Sequence, residues 1–252
     1  MTSVSIVRLG LIVLAGLLAV VSARAEDAPT NCEVPDYLLA TESKLPKVAE
    51  AIRSGHQLNI LVLGSRSSTI NAAEGTAYPS RLQVALKEKL PSVVVNVTVE
   101  LQARKTADEV AKGLVSLLEG KRPNLVIWQT GTVDAMRAID PDEFRSAVDE
   151  GVVALRNTGA DVVLMNLQYS PRTETMISVP PYLDNMRVVA QDHDIPLFDR
   201  FAIMRQWNDH GDFDLFSASP GVELAKRVHD CLGRALSTFV IGAAHLGTEQ
   251  QN

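Results

Sequence analysis

The stretch "LNILVLGSRSSTINAAEG" (58–75) ends an apolar run at Gly64 and then sets Ser65, Ser67, Ser68 and Thr69 close together. Hydroxyls gathered at the end of a buried strand suit nucleophilic acyl transfer. A serine attacks a carbonyl only when its proton is taken up and when donors meet the developing oxyanion. The same residue types also cap turns through side-chain hydrogen bonds. Both readings of this turn, nucleophile and polar cap, stay open at the level of sequence. "QTGTVD" (129–134) and "NLQYSPR" (166–172) follow apolar runs in the same way. No histidine or cysteine has a partner at ligand spacing, so neither a metal nor a cofactor is expected.

Such residues need a scaffold, and the chain alternates between two patterns. Continuous apolar runs at 58–64, 92–100, 124–131, 160–168 and 195–201 predict buried strands. Between and around them, 45–55, 77–91, 106–123, 140–159, 180–194 and 221–243 read as helices, with Thr106 a fitting N-cap. Strands alternating with helices specify a single three-layer α/β domain with a parallel sheet flanked by helices, flavodoxin-like. Ligands of such sheets gather at the carboxyl ends of the strands, where the three polar stretches fall.

The chain has 252 residues, 46% hydrophobic and 21% charged, with a formal net charge of −6. It has no basic face, so no nucleic-acid partner is expected. Arg8, the apolar run Leu9–Val21 and the ending "SARA" at Ala25 read as a secretory signal peptide over 1–25, too short for a permanent anchor. The expected organisation is a signal at 1–25, an N-terminal extension at 26–44, the α/β domain at 45–243 and a tail at 244–252. The expected location is periplasmic or secreted, without stable membrane insertion once the signal is removed. Cys32 and Cys231 then meet an oxidising compartment and are expected to pair.

The chain resembles the SGNH/GDSL hydrolase family, in particular exported bacterial members with "GSSST", "WQxGTN" and "ADVVLMxxQY". Here the blocks read "GSRSST" (64–69), "WQTGTVD" (128–134) and "ADVVLMNLQYSPR" (160–172). The resemblance implies an SGNH-hydrolase-like domain and a serine ester hydrolase of low rate. Its substrates would be small-molecule or glycan esters, acyl or acetyl, those of the cell envelope among them. Counting back from Thr69 makes Ser67 the nucleophile, with Ser65 the alternative; counting from Gly64 puts Arg66 in that slot. Gly131 and Asp134 match the supporting positions of the third block, but Val133 replaces its asparagine. No glycine follows the second strand, so a second oxyanion donor is missing. His229 in "AKRVHDCLGRAL" is the candidate base, with Lys226 where its aspartate belongs. Setting "DLFS" on the last block keeps Asp214 as an alternative acid but replaces the histidine by Ser217. The competing expectation is a non-catalytic SGNH-fold protein that binds an envelope ligand in the same cleft. A two-lobed solute-binding protein needs a second βα series, which the chain does not offer.

Overall fold

The computed structural model describes residues 32–70, 75–216 and 221–245. The expected signal at 1–25, Ser217 and most of the expected tail lie outside the described residues. Strands β1 (Gln57–Gly64), β2 (Val94–Leu101), β3 (Leu125–Gln129), β4 (Asp161–Met165) and β5 (Leu197–Phe198) form one sheet. Their order is β2-β1-β3-β4-β5, with every pairing parallel. The central strands β3 and β4 are buried along nearly their whole length, as expected for "LVIWQ" and "DVVLM" under helices on both faces. Edge strand β2 instead alternates, burying Val95 and exposing Val94.

The helices in chain order are α1 (Asp36–Leu39), α2 (Pro46–Glu50), α3 (Tyr78–Lys89), α4 (Ala107–Ala111), α5 (Leu114–Leu118) and α6 (Thr132–Met136). They continue with α7 (Pro141–Arg156), α8 (Pro171–Met176), α9 (Pro180–Asp192), α10 (Arg200–Asp209) and α11 (Val222–Ala243). The chain leaves β1 toward β2, then crosses back to β3 and continues to β4 and β5. Right-handed crossovers therefore put α3 on one face and α4, α5, α7 and α9 on the other. The packing agrees: α3 lies against α11, while α4, α5 and α9 each pack on α7.

The N-terminal arm is tied down at three points. Cys32 is disulfide-bonded to Cys231 of α11 with a Cα–Cα distance of 5.2 Å. Trp207 Nε1 donates to the Glu33 carbonyl at 2.9 Å, and Leu45 N donates to the Ala243 carbonyl at 3.0 Å. The bridge spans 199 positions, worth up to about 5 kcal/mol on the chain-entropy account.

The elements depart from expectation at several places, the strand expected over 160–168 stopping at Met165 among them. The helix expected over 106–123 is two short helices that part at Gly113, where the backbone entropy of glycine disfavours helix. The helix expected over 45–55 is regular only to Glu50 and widens into a π-turn over Ala51–Gly55. The strand expected over 124–131 stops at Gln129, because Gly131 has φ +93° and starts α6. The strand expected over 195–201 keeps only Leu197 and Phe198. Asp199 then accepts from Ala202 N at 2.9 Å and caps α10, a helix the apolar pattern had not announced.

Candidate active site

The direction of the chain reverses between β1 and β3, and the loops that leave their carboxyl ends open a crevice there. The turn after β1 is one 3₁₀ turn, Arg66–Ser68, capped by Ser65. Gly64 makes it possible: a Cβ there would meet Ser68 Oγ at 2.5 Å. Ser68 is therefore folded back into the core, where its hydroxyl donates to Gln129 Oε1 at 2.6 Å and accepts from Ser65 N at 3.2 Å. Tyr78 OH donates to the same Gln129 oxygen at 3.0 Å. With its oxygen held by two donors, the Gln129 amide turns its nitrogen to the cleft. Nε2 donates to Ser65 Oγ at 2.8 Å and to Ser67 Oγ at 2.6 Å. One amide at the end of a buried strand thus orients the serine cluster.

The second holder of Ser67 is Arg200. Its Nη1 donates to Ser67 Oγ at 3.1 Å and its Nη2 to the Ser67 carbonyl at 3.3 Å. The guanidinium also lies over the Tyr78 ring, 5.6 Å from its centroid. Arg200 is 0% exposed, and no carboxylate pairs with it among the described residues. Burial pushes it down to about 10, still protonated at neutral pH. Its direction is set from β4. Asn166, fully buried, donates to Asp199 Oδ1 at 2.7 Å and accepts from Phe201 N at 2.9 Å, so both neighbours of Arg200 are pinned.

The structure brings Ser65 and Ser67 together, with their hydroxyls 3.1 Å apart. No hydrogen bond joins His229 to either of them. His229 Nδ1 accepts from the backbone N–H of Tyr78 at 3.0 Å, and it has no other hydrogen-bond partner among the described residues. The neutral ring therefore carries its proton on Nε2. Burial, then the charge of Arg200, push the ring down to about 3. A group so resistant to protonation is a poor proton acceptor at neutral pH.

The third-block residues hold the frame. Asp134 is buried and accepts from Ala107 N at 2.8 Å, joining α6 to α4, and burial raises its pKa. Gly131 turns the chain in the left-handed region, where a Cβ would meet Leu167 Cδ1 at 2.6 Å. Asp214 accepts from Phe216 N at 3.1 Å in a local turn, and Lys226 pairs with Glu223.

Sequence reasoning missed Gln129, Arg200 and Tyr78. The first had a signal: a single amide closing the otherwise apolar "LVIWQ".

Ser65, Arg66 and Ser67 line a cleft of about 600 Å³ with Arg104 from beyond β2 and with Thr132, Val133, Met136 and Arg137 of α6 and its end. The cleft is large enough for a drug-sized ligand. A smaller cavity of about 170 Å³ is lined by Arg200, His229, Gln168 and Ser170 among others. No group of three or more metal-ligating side chains occurs among the described residues. No described helix is long and apolar enough to cross a membrane.

Solved structures share this fold. TesA matches with a TM-score of 0.57 and 19% identity over 72% of this chain and 99% of that one. The acetylxylan esterase Axe2 of Geobacillus stearothermophilus matches with a TM-score of 0.59 and 15% identity, over 73% and 94%. AlinE4, an SGNH-hydrolase family esterase, matches with a TM-score of 0.52 and 19% identity, over 62% and 82%. No curated protein matches the sequence. The profile of the non-GDSL lipase-like family matches residues 31–246, a range that includes every described residue, and the protein belongs to that family.

Proposed function

We propose that the protein is an exported ester hydrolase of low rate, with Ser67 as nucleophile, acting on acyl or acetyl esters such as those of cell-envelope glycans. The observation that carries this reading is the contact between Ser67 Oγ and the buried Arg200 guanidinium. Gln129 and Arg200 together occupy both lone pairs of the neutral hydroxyl. Loss of its proton gives an alkoxide with a third lone pair for attack. The guanidinium, itself fully buried, stabilises that charge. Attack forms an acyl-serine and releases the alcohol, and water then frees the acid and restores the serine. No side-chain base sits on Ser67, so solvent hydroxide takes the proton, which keeps the rate low at neutral pH. Val133 in the asparagine slot removes an oxyanion donor, a loss of about 100- to 1,000-fold. Acetyl esters as substrates are supported by the name of Axe2, an acetylxylan esterase. Export is supported by the pattern of residues 1–25 and fits the disulfide.

The test uses residues 26–252 with the disulfide intact. A fluorophosphonate should label Ser67, and hydrolysis of p-nitrophenyl acetate should rise about tenfold per pH unit between pH 7 and 9, as hydroxide-dependent deprotonation requires. A plateau near pH 7 would point to a histidine base instead. A second reading, binding of an envelope ligand without turnover, is favoured by the occupied Nδ1 of His229. Absence of both adduct and turnover would establish it over the first.

A further inference from the structure

The cleft beside Ser67 carries a chemical preference. Val133 and Met136, the latter 66% exposed, line it with apolar surface. Three arginines line it as well, in a chain whose formal net charge is −6. Arg137 is occupied: it pairs with Glu109 at 3.3 Å and donates to the Arg104 carbonyl at 2.8 Å. Arg66 and Arg104 are different. Both are exposed, and neither guanidinium has a hydrogen bond or ion pair among the described residues. Arg104 also sits at φ +64°, where glycine or asparagine costs less. Neither side chain holds the fold together, and both stand beside the candidate nucleophile.

We propose that this cleft selects an anionic amphiphile: an acyl ester whose alcohol part carries a phosphate or carboxylate. The acyl chain lies on Val133 and Met136, and Arg66 and Arg104 take the anion. This ligand class rests on the reading of the cleft as an ester site but does not require turnover. Guanidinium forks match either oxyanion in pairs, and an apolar lining adds affinity that a free inorganic anion cannot use.

The test is calorimetric titration of the disulfide-bonded Ser67→Ala protein, which binds without consuming ligand. The probes are hexyl phosphate, heptanoate, hexyl glucoside and inorganic phosphate, each below any micellar concentration. The expected result is at least tenfold tighter binding of hexyl phosphate or heptanoate than of hexyl glucoside or inorganic phosphate, with the preference shrinking in high salt. The stronger of the two anionic ligands identifies the headgroup. Arg66→Ala and Arg104→Ala should each weaken anionic binding about three- to tenfold. Their unchanged melting temperatures would show that the fold survives. Equal binding of the charged and neutral amphiphiles would overturn the proposal, as would a preference that persists in the double variant. Inorganic phosphate binding as tightly as hexyl phosphate would also overturn it, by removing the apolar lining from the account. An anion preference in a protein without esterase turnover would sink the hydrolase reading alone and leave the ligand class standing.

Discussion

The turns after β1 and β3 start alike and end differently. Each leaves a buried strand close to a glycine, and each carries small polar residues. After β1, the polar atoms face one another and the cleft: Ser65 and Ser67 share the Gln129 amide, and Arg200 closes the cluster. After β3, they face the frame: Asp134 holds the amide of Ala107, and Gly131 fits against Leu167. The same residue types therefore face a cleft in one turn and the packed frame in the other. What separates them is whether a neighbouring element supplies a charge. Arg200 does so for the first turn, while the second receives a backbone N–H.

The largest expected effect follows from removing that charge. Arg200→Met should lower ester turnover at least 100-fold, because the alkoxide of Ser67 loses its counter-charge. Stability should stay the same or rise, since a buried guanidinium without a carboxylate partner is costly and methionine fills similar space. Turnover at several pH values and a melting curve check both halves. Undiminished turnover would make Arg200 a packing residue and erase the contrast between the two turns.

Removing the frame should do the reverse. Asp134→Ala unpairs the Ala107 amide and should cost about 1–3 kcal/mol of stability by denaturant titration. Fluorophosphonate labelling of Ser67 at low temperature should persist within a few-fold. Loss of labelling in a protein that still melts normally would place Asp134 in the chemistry instead.

Much of the scaffold was legible because its signals are local. Strands buried on both faces must be apolar throughout, and Thr106 stands at its helix start as a capping box with Glu109. The parallel direction of the core strands followed from their alternation with helices, while their order, β2-β1-β3-β4-β5, did not. The site was half legible for the converse reason. The hydroxyl cluster around Ser67, the proposed nucleophile, was visible as four small polar residues in a row of five. Arg200 was not, because "FDRF" reads as the end of a strand unless Asn166, on another strand, is known to hold Asp199 and Phe201. His229 sits on the expected helix, yet its orientation is decided by the amide of Tyr78, 151 positions away. Spacing along one helix carries no information about which distant amide will occupy a ring nitrogen.

The smallest expected effect sharpens that last point. His229→Gln keeps an acceptor for the Tyr78 N–H, so turnover should stay within threefold of the parent and stability within about 1 kcal/mol at pH 7. The difference should show in acid. The folded protein holds the ring neutral down to about pH 3, while the unfolded chain takes up a proton near pH 6.5. The unfolded state thus binds the extra proton between those values, and the parent loses stability as pH falls through them. Glutamine does not titrate, so the variant should lose less, by about 2 kcal/mol over two pH units. Denaturant titrations at pH 7, 6 and 5 on both proteins give the comparison. Parallel pH curves would mean that the ring is free to protonate in the fold. A hundredfold loss of turnover with unchanged stability would return His229 to the role of base.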